Sequence, residues 1–277
     1  MASLLALGAA CSWGAGDFLG GLASRRIAVV TVLAVSQAAG LAGLLVWVLA
    51  SGETFPGIAE LAPAVAAGAA GIVGLAALYR GFALGAMGIV APISGAAPLV
   101  PLCVDAANGV IPSFVQLVGV VCALGGIVAL SHERSTAGRL QVTAGATLAV
   151  VAALGFGGFI VGIDAGSDES APWAVVAART TSVALALVGV AVTGAALRPA
   201  VRLLPVLVAV GVFDTGANVL VAYATTKGAA GTVAVLSTLY PVVTVILARL
   251  VLAERLGVAR RLGGGLALAG AALVAAG

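Results

Sequence analysis

Gly85-Ala86-Met87-Gly88-Ile89-Val90-Ala91-Pro92-Ile93-Ser94 returns 143 positions later as Gly228-Ala229-Ala230-Gly231-Thr232-Val233-Ala234-Val235-Leu236-Ser237. Under the same shift Pro98 falls on Pro241 and Trp13-Gly14 on Phe156-Gly157, and one inserted residue carries Tyr79 onto Tyr223. An Ala- and Gly-rich chain produces chance matches. Ser and Pro matched at fixed spacing, with the shift recurring in the first apolar segment of each half, mark an internal repeat instead. Residues 1–139 and 140–277 are read as two copies of one unit.

The unit is a membrane unit. Of 277 residues, 62% are hydrophobic and 8% charged, with a mean hydropathy of +1.23, whereas a soluble domain carries about a quarter charged residues. Apolar segments of roughly 20 residues, enough to cross about 30 Å of hydrocarbon as helix, lie near 3–23, 27–50, 61–82, 88–107, 112–131, 141–162, 171–196, 202–226, 230–252 and 257–276. Runs such as Leu41 to Ala50 do not alternate as barrel strands would. The fold expected is an all-α polytopic membrane protein of about ten transmembrane helices. The run from Ser3 to Leu22 lacks the basic flank and cleavage site of a secretory signal and is read as the first span.

Five helices per copy is an odd number, so the second copy crosses in the opposite sense to the first. Two inverted five-helix repeats of this kind can rock about a central site and give alternating access.

Ionisable groups in hydrocarbon are costly and normally face the bundle interior or water, so each is a functional candidate. Asp17 lies one helical turn after Trp13, on the same face. It could hold a cationic or zwitterionic substrate or a proton, or pair with Arg25, Arg26 or a basic residue elsewhere. Asp214 and Asn218 form an i, i+4 pair on the eighth span, with Arg179 on the seventh as a possible ion-pair partner for Asp214. Ser94, Pro98, Pro101 and Asp105 share a face of the fourth span, and Ser237, Pro241 and Thr244 form its counterpart in the ninth, with Tyr240 alongside. Proline frees a backbone carbonyl one turn earlier, which can bind a solute or simply kink the helix. Gln37 could hydrogen-bond substrate or a neighbouring helix. The candidate cavity is thus Trp13, Asp17, Gln37, Tyr79, Ser94, Asp105, Arg179, Asp214, Asn218, Tyr223, Ser237 and Tyr240. Arg80, Lys227 and Arg249 read as snorkelling residues, Trp47 and Trp173 as interface anchors, and His132 as a solvated residue of the loop between the halves.

In its order of motifs the chain resembles the EamA family of the drug/metabolite transporter superfamily. The resemblance rests on Trp13-Gly14, on Tyr79 and Tyr223, on the Ala/Ser-rich stretches ending at Pro98 and Pro241, and on Leu252-Ala253-Glu254-Arg255-Leu256. Asn108-Gly109 stands where the first repeat of the family often carries its own Glu-Arg. The resemblance implies export or exchange of small metabolites, amino acids or drugs, driven by an ion gradient or by the solute's own gradient.

Other functional classes are poorly served. Cys11, Cys103 and Cys122 are scattered singly, without disulfide or metal spacing. No phosphate-binding loop is present, no cofactor or metal is expected, and the basic residues form no nucleic-acid patch. An intramembrane enzyme acting on lipid or isoprenoid would want clustered catalytic groups, yet the sole histidine lies in a loop. A non-transporting scaffold would not need an acid and an amide at depth. The expected partners are a small solute, the lipid bilayer of the cell membrane and, as a coupling ion, the proton; monomer and homodimer both fit. Odd-numbered loops hold Arg25, Arg26, Arg134, Arg139, Arg198, Arg202, Arg255, Arg260 and Arg261, while even-numbered ones hold Glu53, Glu60, Asp164, Asp168, Glu169 and one basic residue, Lys227. The positive-inside rule therefore puts both termini outside, whereas family members are usually drawn with both inside.

Overall fold

A computed structural model describes residues 1–84, 93–131, 139–252 and 258–276. Outside them lie the first copy of the repeated stretch up to Pro92, the loop holding His132 and Arg134, and Ala253 to Gly257 with Glu254 and Arg255. The described residues form eleven α-helices and one 3-10 turn, with no strand among them. They are α1 (Ala2–Ser24), α2 (Val29–Ser51), α3 (Ala62–Ala83), α4 (Leu99–Ala107), α5 (Phe114–Ser131), α6 (Arg139–Ala165) and α7 (Ala171–Thr193). After the 3-10 turn Arg198–Leu203 come α8 (Leu204–Thr225), α9 (Ala230–Ser237), α10 (Tyr240–Leu252) and α11 (Val258–Ala276).

Six of these helices are long and apolar enough to cross a membrane, and Phe114–Ala129, Ala230–Thr244 and Leu262–Val274 are shorter apolar segments. Large apolar side chains point outward along the bundle, among them Phe114, Val121, Val192 and Leu250, while Thr31, Ser36, Gln37, Arg179 and Asn218 are buried. Apolar outside and polar inside is what a hydrocarbon solvent requires. The protein is a multi-pass membrane protein.

Local chemistry sets the ends and the breaks. Ser170 caps α7 by accepting from the Trp173 N–H, with Pro172 in the first turn, and Gly194 closes the helix at φ +64°. The ninth apolar segment, in which Pro241 offered a kink, divides into α9 and α10 at Thr238-Leu239. Pro241 has no N–H to donate to the Ser237 carbonyl. The chain tightens there, with Leu239 N bonded to Leu236 O and Val242 N to Leu239 O. Around Pro98 the fourth segment tightens in the same way: Ala97 N donates to Ser94 O and Val100 N to Ala97 O, and α4 starts only at Leu99.

The helices pack in reciprocal pairs: α1 against α8 and α3 against α6, α2 against α7, α4 against α9, and α5 against α11. Small residues permit these approaches without a hydrophobic driving force between helices. Buried side chains fall into a larger cluster, including Leu44, Ile163, Val175 and Leu236, and a smaller one, including Leu33, Leu78, Tyr79 and Leu207. A cavity lies where the two meet, lined by Ile160 from the larger and Ile72 from the smaller.

Candidate functional site

The cavity has about 690 Å³ of empty space, its open mouth included. Trp13, Asp17, Gln37, Arg179, Asp214, Asn218 and Tyr240 line it. They come from five helices, α1, α2, α7, α8 and α10, so no one helix creates the site.

Asp214 is the hub. Its Oδ2 accepts from Arg179 Nη1 at 2.6 Å and from Gln37 Nε2 at 2.8 Å, and its Oδ1 accepts from Trp13 Nε1 at 3.2 Å. The same indole N–H is shared with Asn218 Oδ1 at 3.0 Å, one turn along α8. Gln37 closes the ring by accepting a short hydrogen bond from Arg179 Nη1 through Oε1. Each member has the donor or acceptor its neighbour lacks. A guanidinium has no acceptor and cannot lose its proton, whereas a glutamine amide supplies both functions and so bridges the ion pair.

Burial makes the ion pair consequential. Arg179 is 3% exposed, and the Asp214 side chain 17%. A charge at that depth is tolerated because its counter-ion is beside it, and removing either partner strands the other. The pairing that the sequence left open for Asp214 is thus made, inside the cavity wall.

Asp17 is held separately. Its carboxylate accepts from the Tyr79 hydroxyl, and it faces Asp214 and Tyr240 electrostatically. Tyr79 is 2% exposed, and its hydroxyl lies so close to Gly20 that any Cβ there would collide with it. Tyr240 hydrogen-bonds Ser94, which is fully buried behind the cavity wall.

Three expected residues lie elsewhere. Asp105 stands at the end of the bundle, accepting at 2.6 Å from the Gly231 N–H in the first turn of α9. Ser237 is buried and donates to its own helix at Ala234 O. Tyr223 packs on the larger cluster, within electrostatic reach of Glu53. Trp173 donates to the Glu53 carbonyl at 3.1 Å and meets Phe55 edge-on, while Trp47 is 44% exposed.

The wall opposite the polar network escaped the sequence reading: Gly71, Ile72, Leu75, Ala97, Phe156 and Ile160 are apolar and carry no chemical signal of their own. Phe159 stands T-shaped to Trp13, with ring centroids 6.5 Å apart. Ser182, also in the lining, donates to Gly68 O at 3.0 Å. A usable signal did exist, in the repeat itself. Phe156 lies 143 positions after Trp13, Ile160 143 after Asp17, Gly71 143 before Asp214 and Ala97 143 before Tyr240. Among the described residues no group of three or more His, Cys, Asp or Glu could hold a metal ion. One wall that binds charge and one that is greasy suit a small amphipathic solute.

Comparison with known proteins gives the class. No curated protein sequence matches the chain. A protein of known crystal structure, 19% identical, superimposes with a TM-score of 0.80, covering 98% of this chain and 95% of its own, which shows a shared fold. A family model, the EamA-like transporter family, matches residues 1–132 and 143–276. The chain therefore belongs to the EamA family of the drug/metabolite transporter superfamily.

Proposed function

We propose that the protein is a secondary carrier of a small solute, which binds in the cavity around Asp214 and crosses by alternating access of two inverted five-helix halves, 1–139 and 140–277. The observation that carries this reading is a buried, hydrogen-bonded ion pair lining a cavity between helices of both halves. Carrier sites lie at the interface of repeats, and intramembrane charge marks them.

Support for the inverted halves comes from reciprocal contacts. The first helix of each half packs on the third of the other, while second meets second, fourth meets fourth and fifth meets fifth. A Cβ on Gly14 would lie 2.5 Å from Val243 Cβ and 2.8 Å from Tyr240 O. A Cβ on Gly157 would lie 2.5 Å from Val100 Cβ and 2.7 Å from Ala97 O. Each of these residues is 143 positions from its counterpart. Contacts that return under exchange of partners are the mark of a two-fold interface. The family model's two matched stretches fall either side of the same boundary.

Alternation requires a closed end and an openable one. At the end carrying Ala2 and Gly228, Asp105 of one half caps α9 of the other. Asp17 and Asp214 are the candidate carriers of a coupling proton. The polar wall alone is compatible with export or exchange. The test is solute flux in proteoliposomes: Asp214→Asn should abolish it at normal insertion, with unimpaired flux refuting the assignment, and insensitivity to a collapsed pH gradient refuting proton coupling.

A further inference from the structure

Arg179 is fastened by one corner. Its Nη1 alone serves both acceptors, Gln37 Oε1 and Asp214 Oδ2. Nε and Nη2 are buried and have no acceptor among the described residues. They belong to a residue that is 3% exposed and lines the cavity. The two unpaired groups form the long edge of the guanidinium, where two N–H bonds run parallel, the edge that receives a planar oxyanion in bidentate fashion. Because Arg cannot shed its proton, the unpaired edge is a persistent cost, which an arriving acceptor removes. Asp214 and Gln37 meanwhile hold the opposite corner and fix the direction in which the edge faces.

We propose that this free edge is an oxyanion subsite, and that the solute carries a carboxylate that docks side-on to Nε and Nη2 of Arg179. The proposal rests on the carrier reading and adds to it the charge of the cargo. Electroneutrality sharpens it. Asp214 already balances Arg179, so a carboxylate arriving there, beside Asp17, adds negative charge that positive charge must offset. Two sources meet that need: an ammonium on the same solute, facing Asp17, or a proton taken up by Asp17. Trp13 and Phe159 supply an apolar surface for the remainder of the molecule. Both N–H groups are shut from water in this state, so docking requires the wall around them to part, as a carrier's change of state would provide.

The test uses the full chain in lipid nanodiscs and three probe sets: short and branched monocarboxylates, α-amino acids, and the primary amide of each. Binding is read by calorimetry. At least one acid should bind about tenfold or more tighter than its own amide, and Arg179→Lys should weaken the acid by about tenfold while leaving the amide unchanged. Monocarboxylates binding as well as amino acids, with proton uptake, assigns the positive charge to Asp17; a requirement for the amine assigns it to the solute. Amides binding as tightly as acids, no acid binding at all, or an acid preference that survives in Arg179→Gln would each overturn the subsite. If Arg179→Gln fails to fold, Arg179→Gln/Asp214→Asn removes both charges together and poses the same question. Flux in proteoliposomes separates the two claims: tight binding of an acid that is never transported defeats the carrier reading and leaves the subsite, whereas transport of a solute without an oxyanion does the reverse.

Discussion

Removing the Asp214 carboxylate alone should destabilise the protein more than removing it together with Arg179. Asp214→Ala deletes the acceptor of Arg179 Nη1, Gln37 Nε2 and Trp13 Nε1 at once. It leaves a guanidinium that is 3% exposed, with Gln37 Oε1 as its only acceptor among the described residues, where Nε and Nη2 have no partner. Breaking one side of a buried pair costs about 3–5 kcal/mol. The carboxylate is 17% exposed at the cavity, which moves the expectation to the lower end, about 3 kcal/mol. Arg179→Leu is milder, about 1–2 kcal/mol, since Asp214 keeps the Gln37 and Trp13 donors and some contact with water. The double variant Arg179→Leu/Asp214→Ala strands no charge and should lie within about 1 kcal/mol of the parent. The coupling across the cycle is then roughly 3 kcal/mol. Equilibrium unfolding of the detergent-solubilised protein by SDS, followed by tryptophan fluorescence, measures it with Trp13 as a reporter beside the pair. Transport should be lost in all three variants, so that stability and activity part company in the double. A cost below about 1 kcal/mol for Asp214→Ala, or a double variant as unstable as the two singles summed, refutes the buried-pair reasoning.

Further outcomes follow from the same geometry. Gly14→Ala and Gly157→Ala each gain about 1 kcal/mol of helix propensity but force a methyl within 2.8 Å of a facing side chain. With overpacking at about 1–3 kcal/mol, both should be destabilised in thermal unfolding and to a similar degree; a strong effect at one position and none at the other would speak against equivalent halves. Trp13→Phe keeps the ring facing Phe159 but drops the N–H shared by Asp214 and Asn218. It should weaken solute binding about tenfold or more while the helix content by circular dichroism stays unchanged. Asp105→Ala uncaps the Gly231 N–H and should cost about 1 kcal/mol in the SDS titration, with Asp105→Asn recovering part of it. Reporter fusions at the C-terminus should register an external location if the arginine asymmetry governs insertion; cytoplasmic activity would reverse the orientation.

The spans were legible because twenty-odd apolar residues are needed whatever the neighbours do. The expected first, second and third segments match α1, α2 and α3 to within two residues. The breaks in the fourth and ninth segments were harder to read. Hydropathy cannot see a backbone that tightens at Pro98 and Pro241 while remaining apolar. Within the site, charge and helical spacing pointed to Asp17, Arg179, Asp214 and Asn218, since ionisable and amide groups at depth are rare. They could not say that one indole N–H would be shared by Asp214 and Asn218, or that Gln37 would bridge the ion pair, because those contacts join residues at least 142 positions apart. Asp105 shows the opposite limit. Its face on the fourth helix was readable, but its depth, which sets it at a helix terminus instead of in the cavity, depends on where the chain bends. The apolar wall of Gly71, Leu75 and Phe156 had no chemistry to betray it and is found only by carrying Asp214, Asn218 and Trp13 across the repeat.

The central claim is alternating access to one cavity, and thiol accessibility tests it most directly. Leu75 lines the cavity, so Leu75→Cys, in a protein whose Cys11, Cys103 and Cys122 are serine, can be challenged with a membrane-impermeant maleimide from either face. A disulfide between Asp105→Cys and Gly231→Cys, formed in the same protein by a mild oxidant that takes up the two electrons released, would hold one end shut where the two residues meet and leave the Leu75→Cys thiol free. The unbridged protein should label from both faces, and the bridged one only from the face carrying Arg25 and Arg26. Labelling from a single face in both forms, or from both faces in the bridged form, contradicts alternating access.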